Sequence, residues 1–406
     1  MRYRRIVNRL LIFAAVLCVV SLAYLVYGRY RVSALEAACE SALKSEQWAE
    51  LEISATDWIQ WQPDVALPWL YAAEAANRQG DDFRTAYYLY HLPDADPRSP
   101  AGLLELSHLQ FGNLNQPFAA AATCERILRI PSPPSEANRQ LAREAHRRLI
   151  FFYTMSRQRG RMIAEARRAI RVGCDVPETF LYLIAADWMS FTNGYDLNAR
   201  WLQSKPGDEI FLVAQAFHLV RSSALSEESE KVESDGKSRS ERVMDELLER
   251  FPHNKEVLAY HLDLACFRGN EDRVTKLLTQ SPQDSAEDSR FWRFKGWVHQ
   301  NRQEFAEAET AYLKTLELHS FDGQTLHDLA AICRRNKELQ RVEEYQTLAV
   351  LGKELMRDCL QMPNTNSLDD DLLQKMILYV EKCGDTLVAQ RLRERITKKP
   401  ANPLLE

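Results

Sequence analysis

Glycine and proline are scarce in this chain. The 406 residues include 14 Gly and 16 Pro, about 7% together against a usual value near 12%. That poverty in turn-formers excludes a collagen, a low-complexity linker and a sandwich of many short strands. Also missing is any C-x-x-C pair, although there are eight cysteines. Neither a zinc site nor a thioredoxin-like motif is indicated, and single spread thiols read as small buried hydrophobes. There is no phosphate-binding G-x-x-x-x-G-K-[ST] loop, no G-x-G-x-x-G, no G-x-S-x-G elbow and no H-E-x-x-H helix. The nine histidines are scattered. Asp369, Asp370 and Asp371 lack the spaced oxygens of a calcium loop and read as an acidic helix start. No metal, no cofactor and no turnover are therefore expected.

Positive charge is short as well. The net charge is -5, so nucleic-acid binding is not expected. Six arginines (Arg2, Arg4, Arg5, Arg9, Arg29 and Arg31) flank one apolar segment, and without them the body carries about -11. That segment, residues 10–27 (LLIFAAVLCVVSLAYLVY), has no charge between Leu10 and Tyr27. As a helix it reaches about 27 Å, close to a bilayer's hydrocarbon thickness. Tyr24, Tyr27 and Tyr30 stand at one end, where aromatic residues favour the interface. A single-pass anchor is expected. A cleaved signal peptide is the alternative, with Ser21-Leu22-Ala23 as its small-x-small site. Four arginines precede the segment and two follow it. This favours a cytoplasmic N-terminus (a basic tail over 1–9) and a body on the exported side.

What the body does have is helical periodicity. Leu258, Leu262, Ala265 and Cys266 recur at i, i+4, i+7 and i+8, and Val243, Met244, Leu247 and Leu248 at i, i+1, i+4 and i+5. Helical windows recur every 34 residues: Leu258, Trp292 and Leu326 align, then Leu262, Gly296 and Ala330, then Val274, Ala308 and Val342. Leu35 and Trp69 share the period. Serine-rich, acidic residues 226–240 (SEESEKVESDGKSRS) read as a flexible linker between arrays over 33–225 and 241–400.

Residues 292–318 resemble the tetratricopeptide repeat family through Trp292, Gly296, Ala308 and Tyr312. A second stretch resembles it through Trp69, Ala73, Gly80, Ala86 and Tyr90. The resemblance implies an all-α solenoid of helix hairpins, in which Gly296 leaves room for Tyr312 across the hairpin. Gly80, Gly160, Gly269 and Gly384 fall where the turns within hairpins are expected. The resemblance also implies a concave groove that binds protein or peptide partners. Its positions are Arg290, Arg293, Trp297, Gln300 and Asn301. One repeat on, they are Gln324, His327, Ala331, Arg334 and Arg335. One repeat back, they are Glu256, Ala259, Asp263, Cys266 and Phe267. An arginine-rich groove with a tryptophan fits an acidic peptide. Outside the groove, residues 139–171 hold ten arginines against Glu144 and Glu165. Arg147, Arg148, Arg157 and Arg161 are its candidate contacts to an acidic surface. The alternative is that these arginines pair with acidic helices elsewhere. The expected function is a membrane-anchored scaffold. A helical enzyme or enzyme subunit on the envelope side, and a cleaved exported repeat protein, are the alternatives.

Overall fold

A computed structural model describes residues 2–131, 135–188, 193–225, 238–362 and 368–397. Among them there are twenty α-helices, one 3-10 turn and no strand. In chain order the first ten are α1 (Arg2–Lys44), α2 (Trp48–Trp61), α3 (Ala66–Arg78), α4 (Asp82–Tyr90), α5 (Ser99–Phe111), α6 (Pro117–Arg129), α7 (Glu136–Met155), α8 (Arg159–Val172), α9 (Pro177–Ile184) and α10 (Gly194–Ser204). Then come α11 (Glu209–Leu225), α12 (Arg239–Arg250), α13 (Lys255–Phe267), α14 (Glu271–Thr279), α15 (Ser289–Asn301), α16 (Phe305–Leu318), α17 (Gly323–Arg335), α18 (Leu339–Gln361), α19 (Asp370–Lys382) and α20 (Thr386–Thr397).

The helices pair as antiparallel hairpins, and each hairpin turns on one residue in the left-handed region. Glu46 (φ 55°) and Gly80 (φ 76°) do this 34 residues apart, as do Gly269 (φ 66°), Gln303 (φ 61°) and Lys337 (φ 62°). Asn115, Arg157, Gly207 and Gly384 serve the other turns. Gly160, expected at such a turn, lies inside α8 instead, and Arg157 takes the positive φ. Side chains cap the second helix where the turn supplies one: Asp81 accepts from the Arg84 amide and Asn270 from the Arg273 amide, satisfying otherwise orphaned donors.

The chain divides into two compact units, Met1–Ala145 and His146–Glu406, with the boundary inside α7. The division expected at 226–240 falls elsewhere in the chain from this boundary. Residues 226–237 lie outside the described ones, and Ser238 caps α12 by accepting from the Glu241 amide.

In the first unit, α1 is one helix with two environments. The expected basic tail is already helical from Arg2. From Ala15 to Tyr27 its described side chains lie open, and the stretch Ala15–Lys44 is long and apolar enough to cross a bilayer. Its last turns pair with α2, burying Leu35, Cys39 and Ala42 against Leu51, Ala55 and Trp58. Trp61, at the end of α2, packs on Tyr24 and Tyr27 with ring centroids 5.8 and 5.9 Å apart. Trp69 is half-buried, stacks on His91, and donates from Nε1 to the Pro63 carbonyl. Ala86 is only partly covered; the small residues packed at the core of this hairpin are Ala72, Ala73, Ala75 and Ala76.

In the second unit, successive hairpins stack from α10 to α20, and α20 then packs back on α8 and α9. Arg395 donates to the Asp175 carboxylate and carbonyl (2.6 Å each), and Arg167 pairs with Asp385 (2.8 Å). The α15–α16 hairpin closes on Gly296, where a Cβ would stand 2.6 Å from Tyr312 Cε1. Tyr312 and Ala308 are fully buried, and Trp292 repeats the Trp69 bond, donating to the Ala286 carbonyl six residues back.

Candidate functional site

Helices α13, α15 and α17 begin consecutive hairpins, so their inner faces come into line. A 34-residue step sets Glu256, Arg290 and Gln324 in one row and Ala259, Arg293 and His327 in the next. These rows line two adjoining hollows, of about 690 and 1090 Å³, which share Asp187, Arg293 and Gln324. Tyr260, Phe267, Phe294 and Trp297 form the apolar part of the smaller one; Phe321, Met356 and Tyr379 serve the larger.

The floor is a network of charges. Arg290 is 6% exposed and lies between two carboxylates. It bonds both oxygens of Glu256 at 2.8 Å and both oxygens of Asp288 at 2.7 and 3.0 Å. Arg293 bonds Asp263 (2.8 Å) and Asp322 (3.3 Å). Arg159 reaches from α8 to Asp187 (2.6 and 2.8 Å), Asp288 (3.4 Å) and Ser289. Burial alone would neutralise such acids. For Asp187 and Asp288 the attraction of Arg159 and Arg290 overrides it and holds both carboxyls well below the usual range. His319, buried beside Asp187, is held down to about 4 by loss of water and by the Arg159 charge.

Two carboxyls go the other way. Burial raises Asp263, with Arg293 opposing, and pushes Asp328 up to about 6, with the Gln324 hydrogen bond opposing. Cys266 is also pushed up by burial, to about 12, so its thiol stays protonated at neutral pH.

Of the groove positions, Arg290, Arg293, Trp297 and His327 line the hollows. Asn301, Arg334 and Arg335 do not: they end their helices in the open, and Arg335 stacks 4.0 Å over the Phe305 ring. The expectation that Arg290 and Arg293 await an acidic peptide is corrected, because each already holds two carboxylates.

The basic run is likewise largely engaged within the chain. Arg157 stacks on Phe217 (5.1 Å) and stands 3.9 Å from Glu256 in the cleft. Arg161 lies over Tyr153 (5.9 Å), and Arg168 pairs with Glu165. Arg147 is exposed and Arg148 half-buried.

Sequence reasoning missed Asp187, which arrives from a segment outside the repeats and carries no signal of its own. Asp322 had one, as an Asp immediately before a helical run; it caps α17 by accepting from the Thr325 amide (2.9 Å). Asp369 likewise caps α19 by accepting from the Leu372 amide. Glu309, Cys333 and Glu338 converge, but Arg341 donates to both glutamates there.

No protein-family model matches the chain, and no curated protein does. Among the described residues the fold is an all-α array of helix hairpins. Solved structures similar to it include the APC/C hetero-tetramer Cut9–Hcn1 (15% identity, 92% of this chain and 80% of that chain, TM-score 0.32). The P58(IPK) TPR domain is another (13%, 91% and 99%, 0.24). So is a tetratricopeptide repeat protein from Parabacteroides merdae (12%, 74% and 98%, 0.26).

Proposed function

We propose that this protein is a membrane-anchored adaptor whose second unit binds a protein segment in the cleft along α13, α15 and α17. The observation that carries this reading is the cleft itself. Equivalent faces of three consecutive hairpins line it, and Phe267, on its wall, is 88% exposed. A large aromatic side chain left in water beside a half-buried tryptophan is the kind of anchor that interfaces use. The apolar helix ahead of the body supports an anchor, and the arginine distribution favours a cytoplasmic N-terminus with the body on the exported side.

The proposed role is binding without turnover. One observation favours an enzyme instead: Asp328, raised to about 6, has the value of a general acid or base. Against it, Cys266 is protonated and the neighbouring carboxylates hold arginines.

A photo-crosslinking amino acid placed at Phe267, and separately at exposed Leu313 on α16, tests the adaptor. One discrete protein adduct from position 267 and none from 313 is expected. Equal adducts from both positions would refute the groove. Release of the full-length chain from membranes by alkaline carbonate would refute the anchor.

A further inference from the structure

The cleft holds more negative than positive charge. Arg157, Arg159, Arg290, Arg293 and Lys353 face Asp187, Glu256, Asp263, Asp288, Asp322 and Asp328, a surplus of one carboxylate. The arginines are spoken for, since Arg159, Arg290 and Arg293 each meet two acids. Asp328 is the acid that is not. Asp328 accepts one hydrogen bond, from Gln324 Nε2 (3.1 Å), and no cation among the described residues comes within 4.0 Å of it. Asp263 gives Oδ1 to Arg293 and keeps 60% of its side chain exposed. Both line the smaller hollow, as do Phe267 and Trp297.

Protein walls strip water from the Asp328 carboxyl, which is why it is raised. An incoming cation would restore the lost stabilisation, and the bond would be charge-assisted. The aromatic faces beside the two carboxyls suit an aliphatic stem and attract a cation through their ring quadrupoles.

Building on the groove reading above, we propose that the cleft takes a basic segment of its partner protein, with a lysine or arginine head between Asp263 and Asp328 and its stem on Phe267 and Trp297. Charge complementarity thus reverses the acidic peptide that the arginine count suggested.

Three fluorescein-labelled dodecapeptides test this against the full chain in detergent micelles. They share leucine and tyrosine positions, and their polar positions are all arginine, all glutamine or all glutamate. The arginine peptide should bind about tenfold tighter than the glutamine peptide, and the glutamate peptide weakest. Asp263→Asn with Asp328→Asn should bring the arginine peptide down to the glutamine level while the helical circular dichroism of the chain is retained. Removing two outer charges with Glu307→Gln and Glu317→Gln should change nothing. Equal effects of the two double variants would overturn the site and leave only attraction to an acidic body. If all three peptides bind equally and Trp297→Ala abolishes binding, the groove survives and the cation is refuted. If none binds, both readings fall.

Discussion

Gly296 sets two familiar effects against each other, and their sizes decide the outcome. A glycine inside a helix costs about 0.5–1 kcal/mol relative to alanine, so Gly296→Ala should stabilise α15 if nothing else mattered. The new Cβ, however, would stand 2.6, 2.7 and 3.0 Å from Cε1, Cδ1 and Cζ of Tyr312. Relaxed carbon contacts begin near ~3.5 Å, so something must move by about 1 Å. Tyr312 cannot easily do so. It is fully buried, packs in one cluster with Ala308, Leu329 and Ile332, and donates from its hydroxyl to Gln300 Oε1 (2.8 Å). Overpacking of this kind costs about 1–3 kcal/mol. The net expectation is a loss of about 1–2 kcal/mol after the helical gain is deducted. Gly160→Ala is the control, because its Cβ meets no atom within 4 Å; it should gain about 0.5–1 kcal/mol. Hydrogen exchange resolved to α15 and α16 is the suitable assay, since two units and an apolar helix need not unfold together. Faster exchange in Gly296→Ala, partly restored by adding Tyr312→Leu, is expected. Protection that rises in Gly296→Ala as it does in Gly160→Ala would refute the packing argument.

Arg290→Met should destabilise the second unit by about 3–5 kcal/mol, because it strands Glu256 and Asp288 with their charges. Adding Glu256→Gln and Asp288→Asn should recover much of the loss in a urea titration. His218 is buried and held down to about 4, first by loss of water, with the Met155 carbonyl bond opposing. A depressed histidine gives its full stability above pH 6.5 and loses it as pH falls toward 4, worth up to about 3 kcal/mol. His319 adds a second share, so His218→Gln should flatten part, not all, of the urea midpoint's fall between pH 6.5 and 4. Gln303→Gly should stabilise the α15–α16 turn by about 0.5 kcal/mol, because a left-handed φ of 61° strains a side chain more than it strains glycine. A lower melting temperature would count against that reading.

Much of the fold was legible because hairpin packing is local. The spacing of Leu258, Trp292 and Leu326 marked the period, and the pairing of Gly296 with Tyr312 followed from needing a small residue where an aromatic crosses. Gly80, Gly269 and Gly384 marked turns. Glu46, Asn115, Arg157, Gln303 and Lys337 take the same positive φ with no glycine to announce them. That is why Gly160 misled by three residues. The unit boundary inside α7 was illegible for a different reason: it falls within a continuous helix, with no glycine or proline to mark it.

The sequence by itself determined the class of element, the hairpin period and the apolar span. Each depends on residues within a few turns or one repeat of one another. It could not determine the charge of the cleft. Arg293 falls at a groove position by its place in the repeat. Whether it waits for a partner or is already held depends on Asp263, 30 residues before it, and Asp322, 29 residues after it. Arg159 and Asp288 are 129 residues apart and meet only in the folded second unit. Coulomb energy depends on distance in space, and only the tertiary structure sets that distance. An arginine-rich groove in the sequence is, in the folded chain, a cleft with a carboxylate to spare.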